Sequence, residues 1–265
     1  DFNYRNLGDI SKIDPSKHPE RFDEFTQFDA QGLPIFPGYE YVNGVSTYRG
    51  EEVGEGGWVF SKPGMYGRTK SFDVSSMHPS TIKHNIFFGP YTQNFADILD
   101  TRIAIKHGDY ESAKGKFGGK LDKYLNDKDI AKDLAQALKI AINAVYGQTM
   151  MPDKYGNPFR DPRNIDNFVA KCGALFMVNL KNMVEAAGYN VIHIKTDSIK
   201  VENPDKAIEK KITEYGALYG YSFEVEDIFD RICLMNDAVY IAKLADDSPE
   251  HAGQWYGKGA QMKEE

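Results

Sequence analysis

Tyr189-Asn190-Val191-Ile192-His193-Ile194-Lys195, then Thr196-Asp197, then Ser198-Ile199-Lys200-Val201, is the stretch that decides the fold. Two β-type runs separated by two polar residues predict a tight antiparallel hairpin with Asp197 at its tip. Upstream, residues 165–187 carry helical spacing and are closed by Gly188. Downstream, residues 205–219 read as an amphipathic helix, and residues 222–235 and 238–244 alternate like strands. Nearer the N-terminus, Lys70 to Val74 reads as a strand, and Pro79 opens a helix with Ser76 near its cap. Between these lie a helix over 95–106 and another over 129–145, where Ile130, Leu134, Ala137, Leu138, Ala141, Ile142 and Val145 recur at helical spacing before Gly147. A strand, a long helical excursion, two strands, a helix and two more strands predict an antiparallel sheet backed by helices, an α+β fold.

Gly54, Gly56 and Gly57 precede a strand at Trp58-Val59-Phe60. A Gly-Gly pair there permits close backbone approach of another chain or a nucleic acid, or a bulged turn. Residues 1–50 are polar and punctuated by Gly32, Pro34, Pro37 and Gly38, which predicts an extended arm. The expected organisation is an arm over 1–50, a first sheet segment over 51–90, a helical insertion over 91–150 and a second sheet segment over 151–265.

The chain has 265 residues, enough for one large domain or two small ones. Cys172 and Cys233 lie far apart in apolar contexts, the pattern of buried free thiols in a reducing compartment. No window reaches the ~18 apolar residues of a membrane span, and no basic-then-apolar leader opens the chain. A cytoplasmic location is expected. The net charge of −7 runs against nucleic-acid binding by this chain alone, because duplex binders usually present a basic face. Either the acid serves metal ions, or basic DNA-gripping parts lie outside these residues.

Asp73 and Asp197 each follow an apolar β run. Either alone reads as a turn or cap residue. As a pair on neighbouring strand ends they repel one another and call for a cation or a proton. Mg²⁺ takes a few carboxylates together with phosphate oxygens and water, and two such ions suit in-line phosphoryl transfer. Lys139 and Asn143 are four apart on one helix face, as are Arg102 and Lys106. Lys139 sits in an apolar stretch where a long cation needs a partner, and a triphosphate is a suitable one.

The words Asp73 to Ile82, Lys139 to Gly147 and Thr196-Asp197-Ser198 occur in the order of a polymerase active site, and the sequence resembles B-family DNA polymerases of bacteriophage type. The resemblance covers about residues 54–262, palm and fingers. It reads the first word as motif A and the second as Lys-x-x-x-Asn-Ser-x-Tyr-Gly with Ala144 for Ser. The third resembles the end of an Asp-Thr-Asp-Ser word, and Gly56-Gly57 resembles the Tyr-x-Gly-Gly element ahead of motif A, which implies contact with DNA. Trp255 to Gln261 resembles the approach to a thumb.

The resemblance implies that Asp73, Asp197 and the Val74 carbonyl hold two Mg²⁺ ions, or Mn²⁺ in their place. It implies that backbone N–H groups near Ser75, Ser76, Met77 and His78 meet the triphosphate, and that Arg102, Lys106 and Lys139 bind its phosphates. Asn143 would line the nucleotide pocket and Tyr146 would pack under the nascent base pair. Tyr240 and Lys243 would contact primer DNA. The implied activity is template-directed transfer of a dNTP to a primer 3′-OH, with loss of pyrophosphate.

Departures from the family pattern are Lys195 for the first motif C Asp and His78 for the motif A Tyr that excludes ribose. Asp237-Ala238-Val239-Tyr240 stands where a basic primer-binding word is expected. Glu226 resembles a third palm acid or is a solvent-facing strand residue. The implied partners are primer-template DNA and dNTPs, with flanking exonuclease and thumb domains or a separate polymerase subunit, in the host cytoplasm for a phage protein. Lys195, the missing basic word and the negative charge also suit a degenerate palm that binds DNA or replisome partners without catalysis. His78 leaves room for an RNA-dependent or primase-like polymerase.

Overall fold

In the computed structural model, residues 27–28, 34–35, 38–43, 45–54, 56–85, 88, 91–149 and 168–259 are described. They belong to two compact units, one drawn from Pro34–Thr81 and Asp166–Glu265 and the other from Ile82–Ile165. Two short strands, β1 (Gln27–Phe28) and β2 (Pro34–Ile35), pair with each other. The arm expected over residues 1–50 otherwise lies mostly outside the described residues. Its described end forms a small antiparallel sheet of β3 (Tyr39–Val42), β4 (Val45–Tyr48) and β5 (Glu51–Glu52).

The first unit is organised by a large antiparallel sheet. Its strands are β6 (Val59–Ser61), β7 (Gly64–Tyr66), β8 (Thr69–Val74), β9 (Asn190–Lys195), β10 (Ser198–Glu202), β11 (Phe223–Leu234), β12 (Tyr240–Leu244) and β13 (Trp255–Lys258). The spatial order is β13-β12-β11-β8-β10-β9-β6, with β7 joined to the far end of β11. The expected hairpin is present, with Lys195 paired to Ser198 across Thr196-Asp197. β9 is buried on both faces from Val191 to Ile194, so it reads as a continuous apolar run rather than an alternation. β13, expected as a connection to a thumb, is an edge strand paired with β12.

Helix α1 (Met77–His84) follows β8, and α5 (Phe168–Ala186) and α6 (Lys206–Leu218) belong to this unit. α5 is buried from Val169 through Lys181, because the sheet and other helices cover its sides. Gly173 matters here: a Cβ would sit 2.6 Å from Met77 Sδ, so the start of α1 rests on a glycine of α5. Phe176 meets Tyr215, Tyr219, Tyr221 and Phe223 with ring centroids 4.6–6.1 Å apart, locking α5 to α6 and β11. Buried Lys181 bonds Glu51 at 2.8 Å and Glu185 at 3.1 Å, which fastens the small sheet to α5. Asp205 caps α6 by accepting from the Ala207 and Ile208 N–H groups, as the helix boundary requires.

The second unit is helical. α2 (Thr92–Lys106), α3 (Tyr110–Ala113) and α4 (Lys128–Thr149) enclose Ile105, Ala113, Leu125 and Ala131. Asp127 caps α4 through the Asp129 and Ile130 N–H groups. The stop expected at Gly147 does not occur, and α4 continues to Thr149. One glycine costs a helix only about 1 kcal/mol, which neighbouring turns absorb. Cys172 and Cys233 are both free thiols, but only Cys172 is buried as expected and Cys233 is half-buried. Among the described residues no helix is long and apolar enough to cross a membrane.

Candidate active site

The geometry around Asp197 begins with an unusual turn. Thr196 has φ 56°, a left-handed conformation that a β-branched residue rarely adopts. Three contacts hold it there. The Thr196 N–H donates to the Trp58 carbonyl at 2.9 Å, and the Val74 N–H donates to the Asp197 carbonyl at 2.8 Å. The Thr196 side chain occupies the space a Cβ on Gly57 would need. Gly57 therefore makes its close approach to the turn of its own sheet, while nothing crowds Gly56.

The bond from Val74 couples the turn directly to the end of β8. Asp73 pairs in register with Ser198 on one side and Glu224 on the other. Adjacent strands lie about 4.8 Å apart, so Asp73 and the residue following Asp197 are immediate neighbours. Register alone delivers the two aspartates to one place, and they line a single cavity of about 260 Å³.

A β-bulge adds the next carboxylate. Phe72 pairs with Val225 and Ser71 with Asp227, leaving Glu226 as the extra residue of β11. Bulges re-aim side chains. Here Glu226, a solvent-exposed residue of its strand, joins Asp73 and Asp197 in lining the cavity. Ser71 Oγ donates to Glu226 Oε2 at 3.3 Å, and Lys200 Nζ donates to Ser71 Oγ at 3.3 Å. His193, Lys195, Tyr240 and Lys258 also line the cavity.

Electrostatics reflect burial first and the crowding of like charge second. Burial raises the Asp197 carboxyl above the ordinary carboxylate range; Glu226 pushes the same way, against a backbone hydrogen bond and Lys258 and Lys200. Asp227 is raised by burial and then by Glu226. Lys200 is only 4% exposed, and burial draws it down to about 8 while Glu226 pulls it back up. It is still a cation at neutral pH. Burial, with Lys200 next, lowers His193 to about 4, so its ring is neutral. His193 Nε2 donates to the Asp237 carbonyl at 3.0 Å, which leaves Nδ1 as an acceptor without a partner among the described residues.

The other expected residues fall in several places. The Ser75 N–H is taken by the Ser222 carbonyl at 2.9 Å. Ser76, with φ 58°, stands at the entrance to α1, and its carbonyl accepts from the Ser80 N–H. Met77 is buried, and burial lowers the pKa of His78. Lys243 pairs in register with Arg231 and Trp255 and does not line the cavity. In the helical unit, Arg102 and Lys106 line a separate cavity of about 820 Å³ with Lys128 and Lys132. Lys139 and Asn143 are exposed on α4, and Tyr146 is half-buried. Lys200, Lys258 and His193 were not singled out by sequence. A lysine in the middle of a β run was the available signal for Lys200.

Carboxylates are thus gathered by strand register on an antiparallel sheet of an α+β unit. No family model matches the chain. Over 187 residues, 64% of this chain, it is 29% identical to DNA polymerase II of Escherichia coli, of which it covers 23%. Its fold is similar to that of the family B DNA polymerase of the archaeon Pyrobaculum calidifontis, with a TM-score of 0.50 over 75% of this chain, 28% of that one and 16% identity. The chain thus spans about a quarter of the length of each of these proteins. The sequence similarity is thus to a DNA polymerase, and the α+β fold is similar to that of a family B DNA polymerase.

Proposed function

We propose that this chain is the palm and fingers portion of a DNA-directed DNA polymerase, joining a dNTP to a primer 3′-OH and releasing pyrophosphate. Residues 51–90 and 151–265 are read as palm and 91–150 as fingers. The observation that carries this is the convergence of Asp73 and Asp197 at one cavity through the pairing of β8 with β10.

The donor set suits Mg²⁺, which prefers hard oxygen ligands. A carboxyl raised by burial, and further by Glu226, favours a proton or a cation beside it. Among the described residues no three His, Cys, Asp or Glu side chains are grouped to hold an ion unaided. Asp73, Asp197 and the Val74 carbonyl would hold the ions together with substrate oxygens and water. Bound there, Mg²⁺ would acidify the primer 3′-OH and stabilise charge on the transferring phosphoryl group.

The protein's own groups do the rest. Asp73 and Asp197 fix where the reacting oxygens gather. Arg102, Lys106 and Lys139 grip the triphosphate, Arg102 in bidentate fashion. N–H groups at the start of α1, from Ser76 ahead of it to Met77 and His78 in its first turn, offer further donors to phosphate. Asn143 and Tyr146 shape the nucleotide pocket. His78 is a flat, neutral ring in the position that limits the sugar. Of the residues expected at primer-template DNA, Gly56 and Lys243 are left to meet it, because Gly57 packs on Thr196 and Tyr240 is buried in the core.

Extension of a primed template by the wild type with Mg²⁺ and dNTPs tests the reading. Asp73→Ala is expected to lower extension by about 10³-fold or more, equivalent to roughly 4 kcal/mol of transition-state stabilisation. Equal extension by mutant and wild type would overturn it.

A further inference from the structure

Lys200 is a cation buried to 4% exposure in the middle of β10, and nothing in nucleotide binding requires it. It pairs in register with Ser71 on one side and with His193 on the other. Its ammonium group donates to Ser71 Oγ, whose own proton goes to Glu226 Oε2. The same ammonium lies 5.6 Å from the centre of the Tyr240 ring. A buried lysine without compensating charge loses several kcal/mol to desolvation. The carboxylates of Glu226, Asp227 and Asp73 supply that compensation, in that order of strength. The dependence runs both ways, because those acids crowd one another and Lys200 is a buried positive charge beneath them, where Lys195 and Lys258 stand at the cavity wall.

We propose that Lys200 is a positioning residue for the acidic site. It aims Glu226 through Ser71, and its fixed charge stands in for part of the metal charge when no ion is bound. Resting on the metal-binding reading above, this assigns Lys200 two opposed effects. It holds the carboxylates together in the empty site, and it repels an incoming divalent ion. Removing the charge should therefore loosen the empty site and tighten metal binding. A merely structural lysine would do neither selectively.

The test is a Mn²⁺ titration of the 265-residue chain followed by electron paramagnetic resonance, with thermal melts in the absence and presence of Mn²⁺. Lys200→Met removes charge and hydrogen bond. Lys200→Gln keeps a donor for Ser71 without charge and guards against misfolding of the first variant. Lys200→Arg keeps the charge. Half-saturating Mn²⁺ should fall roughly three- to tenfold in the Met and Gln variants, the size expected of one partly screened charge near the ion. It should stay near wild type in the Arg variant. The Met and Gln variants should melt lower than wild type without Mn²⁺ and recover with it. Unchanged or weaker Mn²⁺ binding in both neutral variants would overturn the role of Lys200, as would an equal drop in melting temperature with and without Mn²⁺. Asp73→Asn run alongside separates the two ideas: if it binds Mn²⁺ like wild type, the metal site itself is misplaced.

Discussion

The sheet unit and the helical unit hold their candidate residues by different means. In the sheet, Asp73, Asp197 and Glu226 are placed by backbone: a register, a left-handed turn and a bulge. In the helical unit, Lys139 and Asn143 are exposed on α4, and their relation follows from helical spacing alone. A site made by strand pairing can be broken by residues that carry no chemistry. A site made by a helix face should respond to the loss of each side chain and little else.

Gly57→Ala should break that distinction most visibly. The new methyl group enters the space of the Thr196 side chain and pushes the turn that carries Asp197. Overpacking of this kind costs about 1–3 kcal/mol. Primer extension is expected to fall by well over tenfold, with a lower melting temperature. Full activity in Gly57→Ala would mean that the turn is not the anchor. Lys139→Ala should show the opposite profile. Loss of a charge-assisted bond to phosphate is worth roughly 1.5–3 kcal/mol, a ten- to hundredfold drop in kcat/KM for dNTP. Stability should stay within about 0.5 kcal/mol, as for other exposed sites. A large change in melting temperature there would deny the difference between the units.

The smallest effect concerns acid. His193 is held neutral, with its pKa depressed from 6.5 to about 4. The unfolded chain therefore takes up a proton that the folded chain refuses. Stability from this group is complete above pH 6.5 and is lost as pH falls toward 4. Asp197 and Asp227, both raised, act in the opposite sense, favouring the fold as they protonate. His193→Phe should flatten the melting-temperature slope between these limits relative to wild type. An unaltered slope would place the titration elsewhere.

The hairpin around Asp197 is legible in sequence because two polar residues between apolar runs have one compact solution. Helices α2, α4, α5 and α6 are legible for the same reason of spacing, to within a few residues at their ends. The bulge at Glu226 is not, because Phe223 to Leu234 carries no glycine or break that would mark an extra residue. Gly57 shows the same limit. Its sequence context says that something approaches closely, and only the fold says that Thr196 does so. Lys200 looks like a solvent-facing residue of an alternating strand. Its burial arises because the sheet brings β11, β12 and the turn at Asp237 over β9 and β10, a closure that no local pattern encodes. The edge strand β13 is hidden likewise, since Trp255 to Lys258 are all exposed and carry no apolar alternation.

The proposed function requires Asp73 at the end of β8 and Asp197 in the β9–β10 turn to hold a divalent metal. Fe²⁺ substituted for Mg²⁺, with ascorbate and peroxide, cuts a protein backbone beside the bound ion. Cleavage is expected within a few residues of Asp73 and of Asp197, suppressed by excess Mg²⁺ and absent in Asp197→Asn. Cleavage confined to other parts of the chain, or at these positions but indifferent to Mg²⁺ and to the mutation, would contradict it.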